Sequence, residues 1–61
     1  MTFGERLKEF RESCGYTQEE LAEMVGVAKT TITGYEKGNR KPDVPKIKKL
    51  AHALGITGDQ L

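Results

Sequence analysis

Between Gln18 and Glu36 the chain reads QEELAEMVGVAKTTITGYE, and no other stretch restricts its fold so closely. Leu21, Ala22 and Val25 recur at the spacing of one helical face, and Ile32 with Tyr35 makes a second short stripe. Gly26 stands between them, where a sharp turn needs a residue that tolerates positive φ. Two helices that cross steeply need a small side chain at their closest approach. Ala22 is that side chain, and Ile32 is the natural partner to fill the space it leaves.

The flanking sequence supplies further helices. Thr2 with Glu5 has the spacing of a capping box and starts a first helix near residue 3. Phe3, Leu7, Phe10 and Cys14 then form one apolar face, and Gly15 ends it. Thr17 with Glu20 repeats the box and opens a second helix, which Gly26 closes. A third is expected from about Ala28 to Glu36, with Gly38 just beyond. Ala28 has no side-chain oxygen to cap it, so that start is expected to be looser by roughly 1 kcal/mol. After the polar turn Asn39-Arg40-Lys41-Pro42, Asp43 caps a fourth helix with Pro45 in its first turn. Ile47, Leu50, Ala51 and Leu54 are its buried stripe before Gly55. Thr57 with Gln60 has the same box spacing and suggests a fifth helix. The fold class is therefore all-α: a compact bundle of four to five short helices.

Sixty-one residues allow one small domain with a thin core. The formal charge of +1 is too small to suggest nucleic acid by itself, but the charges are unevenly placed. Residues 1–27 hold three Lys/Arg against six Glu, whereas residues 28–61 hold seven Lys/Arg against three acidic residues. A nearly neutral chain can thus present one basic face. A single cysteine excludes an internal disulfide and suits a reducing compartment. No apolar run approaches the ~20 residues of a membrane span. Met1 reads as a true start, whereas Asp59-Gln60-Leu61 reads as a helix cut short, as in the N-terminal part of a longer regulator. Catalytic groups are scarce: Cys14 lacks a histidine partner, and His52 lies off the fourth helix's apolar face. One Cys and one His make a poor metal site. No enzyme activity, metal or cofactor is expected.

The glycine-separated pair of helices is the pattern of a helix-turn-helix, whose second helix can enter the DNA major groove. The run GYTQEELAEMVGVAKTTITGYEKGNRKPD resembles the XRE family, the lambda-repressor-like domains that include phage repressors and Cro. The resemblance rests on an ordered set: Gly15, Thr17-Gln18, Leu21-Ala22, Val25-Gly26-Val27, Ile32, Tyr35-Glu36, Gly38 and Lys41-Pro42. It implies a sequence-specific, double-stranded-DNA-binding module of a cytoplasmic transcriptional regulator, a repressor, working in a prokaryotic cell or a phage-infected host. It also implies a homodimer on its operator.

With Ile32 and Tyr35 inward, Thr30 and Thr33 fall on the outward face of the third helix, flanked by Lys29 and Gly34. In the family, residues at these positions meet base edges. Gly34 is open to two readings: it lets the helix approach DNA closely, or it is merely tolerated on an exposed face. Gln18 matches the glutamine that the family uses to hold a backbone phosphate. Lys37, Asn39, Arg40 and Lys41 follow the helix and are candidates to grip phosphate. The resemblance also pairs Arg11 with Glu36, and a carboxylate at a helix C-terminus needs such a cation. Self-association is expected around His52, Leu54, Ile56 and Leu61. The competing reading is an antitoxin or coactivator-like interaction domain with weak DNA binding.

Overall fold

Side-chain caps set the start of three of the four helices in the computed structural model, which describes all 61 residues. Thr2 and Glu5 exchange reciprocal hydrogen bonds at the head of α1 (Phe3–Ser13), as do Thr17 and Glu20 at the head of α2 (Gln18–Val25). The Asp43 carboxylate accepts the Lys46 N–H at 3.0 Å to open α4 (Val44–Leu54). At α3 (Lys29–Lys37), Ala28 takes the cap conformation with no side-chain bond. Hydrogen bonds from Thr2 hold the Glu5 carboxyl below its ordinary pKa. That small stabilisation is present above the ordinary carboxylate value and is lost as pH falls through the lowered one.

α2 and α3 are joined by a very short turn. Gly26 adopts φ +75°, and the next N–H, that of Val27, reaches back 3.0 Å to the Ala22 carbonyl. A residue with a Cβ would be strained there. The turn brings Ala22 and Ile32, both buried, onto one core with Leu7, Leu21, Leu50 and Leu54. α1 packs on α3 and α4 packs on α2, giving a body of 24 × 22 × 20 Å with no strand.

The packing of α1 depends on a residue with no side chain. A Cβ on Gly4 would fall 2.6 Å from the Tyr35 carbonyl oxygen and closer still to that of Glu36. The first turn of α1 therefore lies directly against the backbone at the end of α3. Two turns further along the same face, Arg11 is buried, and its Nε donates to Glu36 Oε2 at 2.7 Å. Its Nη1 donates to the Tyr16 carbonyl at 2.7 Å. The hydrogen bond donated to Glu36 raises the guanidinium pKa, against the opposing effect of burial. This stabilisation is complete below the ordinary arginine value and is lost only as pH rises through the raised one, so Arg11 adds no pH dependence near neutrality.

This geometry corrects the apolar stripe expected on the first helix. The buried face of α1 is Gly4, Leu7 and Arg11; Phe3 and Phe10 are half-buried on its flanks. Cys14 is exposed and lies past the last turn, with its thiol 3.6 Å from the Leu54 carbonyl. The close backbone approach and the ion pair turn the helix by a fraction of a step from where its apolar residues alone would set it. Ile47 is likewise only half-buried. In place of a fifth α-helix there is a single 3-10 turn, Gly58–Gln60, in which Gln60 Oε1 accepts the Thr57 N–H at 3.0 Å.

The surface expected for self-association also changes. Leu54 and Leu61 belong to the core, Ile56 packs against it, and only His52 is exposed. Leu61 is held by Arg6, whose Nε and Nη2 donate to its backbone oxygen at 2.8 and 2.6 Å, while Nη1 donates to the Met1 carbonyl.

Two substitutions test these packing devices. Gly4→Ala should cost about 1–3 kcal/mol, because backbone cannot yield as a side chain would. Gly58→Ala, whose nearest neighbour would be Ile47 Cγ2 at 4.0 Å, is the control and should melt close to wild type. Equal urea midpoints for the two variants would refute the close-approach account. Arg11→Met strands a buried carboxylate and should cost about 3–5 kcal/mol, enough to leave so small a domain largely unfolded. Adding Glu36→Leu should recover part of that loss in the same urea titration.

Candidate nucleic-acid interface

α3 is amphipathic over little more than two turns. Ile32 and Tyr35 are buried, while Lys29, Thr30 and Lys37 are exposed and Thr33 is half-buried. The outward face thus carries two cations and two hydroxyls, and the following turn adds Asn39, Arg40 and Lys41, all exposed. No exposed carboxylate interrupts the run from Lys37 to Lys41, and Glu36 is turned inward with its side chain 5% accessible. An anionic ligand approaching this edge meets four cations: Lys29, Lys37, Arg40 and Lys41.

The position of α3 relative to α2 is set by polar contacts at their shared edge. Glu36 Oε1 accepts the Gln18 Nε2–H at 2.9 Å, alongside Arg11 Nη2 at 3.3 Å. The other end of the Gln18 carboxamide, Oε1, accepts the Thr33 hydroxyl at 2.9 Å. Gln18 therefore bridges Thr33 and Glu36, about one turn apart on α3, with both its amide oxygen and one amide hydrogen engaged. Sequence reasoning paired Arg11 with Glu36 but missed this link. The available signal was that Arg11, Gln18 and Glu36 all fall at positions facing one helix junction.

Gly34 is where the geometry departs most from expectation. It is buried, so it offers no surface of its own to a ligand. What covers it is Arg40: a Cβ at Gly34 would lie 3.0 Å from both Cγ and Cδ of that side chain. The chain can fold back this tightly because the Gly34 carbonyl accepts from the Asn39 N–H at 2.9 Å and the Arg40 N–H at 3.2 Å. The glycine is thus neither a point of close approach for DNA nor an idle exposed residue. It is a seat for the arginine stem.

Elsewhere the surface is unremarkable for chemistry. No group of three or more His, Cys, Asp or Glu side chains is placed to hold a metal ion. No helix is long and apolar enough to cross a membrane.

The comparisons agree with this geometry. The family model described as Helix-turn-helix matches residues 7–61. The transcriptional regulator ImmR of Bacillus subtilis (strain 168) is 38% identical over 61 residues, which is all of this chain and 48% of ImmR. The chain thus spans about half the length of that relative. Among solved structures, the restriction-modification controller protein C.AhdI of Aeromonas hydrophila shares 40% identity at a TM-score of 0.91, covering 95% of this chain and 88% of that one. The P22 c2 repressor, solved in complex with a synthetic operator, shares 29% identity at a TM-score of 0.92, covering 97% and 89%. With the family model matching residues 7–61 and these solved structures sharing its fold, the chain belongs to the XRE family of helix-turn-helix domains.

Proposed function

We propose that this domain binds double-stranded DNA sequence-specifically, with α3 in the major groove, and that it is the DNA-reading part of a cytoplasmic transcriptional repressor. The observation that carries this reading is the outward edge of α3, where cations and hydroxyls project from a helix held rigidly by Arg11, Glu36 and Gln18. Solved relatives with the same fold include a repressor bound to operator DNA, which supports both the ligand and the sign of regulation.

Within this reading Lys29 and Thr30, at the first turn of α3, reach base edges. Lysine donates to guanine O6 or N7, and threonine offers a hydroxyl or a methyl. Lys37, at the last position of the helix, and Asn39, Arg40 and Lys41, beyond its end, hold phosphate. Gln18 keeps one amide hydrogen free for the same purpose at the head of α2, where the helix dipole also favours an anion. Two copies on a pseudo-palindromic site would place their α3 helices about 34 Å apart, one turn of DNA. Leu54 and Leu61 are buried in the core of each copy, which leaves His52 as the exposed residue of the expected contact.

The division between reading and holding is testable by competition binding on selected and scrambled duplexes at two salt concentrations. Lys29→Ala should relax preference at one base pair, costing about 1–3 kcal/mol of discrimination there. Lys41→Ala should weaken all duplexes alike and lower the salt slope by about one unit. The same uniform loss from both would place α3 along the phosphate backbone, outside the groove.

A further inference from the structure

We infer that Thr33 reads an exocyclic amino group, that of adenine or cytosine, because the fold has already spent its hydroxyl proton. The inference rests on the proposed docking of α3 in the major groove, and it begins with Glu36. The Glu36 carboxylate, held by Arg11, can only accept hydrogen bonds. Its neighbour in the Gln18 side chain must therefore be the nitrogen end, and Nε2 lies 2.9 Å from Oε1 of Glu36. Turning the carboxamide over would set oxygen against oxygen. With the nitrogen so committed, the oxygen end of Gln18 is the one that faces Thr33, at 2.9 Å.

A threonine hydroxyl has one proton to give and two lone pairs to receive. Both protein groups near Thr33 Oγ1 are acceptors: Gln18 Oε1, and the Lys29 carbonyl one helical turn back at 3.2 Å. Whichever of them takes the proton, it points into the protein. What remains for an outside partner is lone-pair density, so Thr33 can receive a hydrogen bond from a ligand and cannot give one. Phosphate oxygens only accept, so Thr33 is unsuited to hold the backbone. In the major groove guanine and thymine offer only acceptors and a methyl group, whereas adenine N6 and cytosine N4 carry the donors. A free threonine would be indifferent between these classes; here the arginine–glutamate pair, acting through Gln18, makes it selective. Gln18 and Glu36 are positioning residues in this scheme, and Thr33 is the one that touches the base.

The test starts with selection from random duplexes by the wild-type domain and by Thr33→Val, which keeps the shape and removes the hydroxyl. One base pair of the site should lose its preference in the variant, and the base of that pair that carries the exocyclic amino group, adenine or cytosine, is the one Thr33 contacts. Replacing that base by its analogue without the amino group (purine for adenine, 2-pyrimidinone for cytosine) should weaken wild-type binding roughly fivefold to a hundredfold and leave Thr33→Val unaffected. Thr33→Ser retains the hydroxyl and should retain the preference; Thr33→Ala replaces the valine variant if that one fails to fold. Wild-type binding that is unchanged when that amino group is removed, or no affected position, would overturn the assignment of Thr33 while leaving DNA binding intact. If the wild-type domain enriches no sequence at all, the proposed function itself fails.

Discussion

The Glu36 carboxylate sits near the C-terminal end of α3, where the helix dipole repels negative charge, and its side chain is almost wholly withdrawn from water. Left alone it would be among the most costly groups in so small a protein. It is tolerated because Arg11 from α1 and Gln18 from α2 both donate to it, and Arg11 also satisfies the Tyr16 carbonyl between them. Three helices and one loop are thus tied to a single carboxylate. A buried ion pair of this kind contributes little net stability compared with apolar packing, yet it permits only one relative placement of its owners. The orientation of α3, and of every side chain on its outward edge, follows from that placement.

The thin core is supplemented by contacts that bring backbone close to backbone or to a stem. Gly4 lets α1 rest on the carbonyls that end α3, and Gly34 lets the Arg40 stem rest on α3 itself. Arg6 joins the first and last residues of the chain through their carbonyls. The two glycines gain close packing without adding apolar side chains, of which sixty-one residues can hold few.

The same economy governs charge. Acidic residues cap α1 and α2 through Glu5 and Glu20, where the dipole welcomes them, while Lys29, Lys37, Arg40 and Lys41 gather along α3 and its exit turn. A chain of nearly zero net charge thereby acquires a basic edge suited to a polyanion. Because the one carboxylate on that side is turned inward, it serves the edge by ordering Gln18 and Thr33 without repelling the ligand.

Helix order, caps and the α2–α3 turn were legible in the sequence, since each depends on residues no more than a few positions apart. Thr17 with Glu20, Gly26 and Asp43 act on their own neighbours, so their spacing is enough. The outward face of α3 followed from the spacing of Ile32 and Tyr35, and the ordered match to a known family, with the helix dipole, added the Arg11–Glu36 pairing. Tertiary structure decided the rest. Cys14 looked inward by periodicity, but the close seat of Gly4 and the pull of Glu36 on Arg11 rotated α1 away from its apolar stripe. Gly34 looked like a gap on an exposed helix until the exit turn laid Arg40 across it. The direction of the Thr33 proton depends on a carboxylate, an amide and a hydroxyl brought together from two helices. Local periodicity can say which side of a helix is apolar; only packing between helices determines how far that side is turned and which polar atoms meet there.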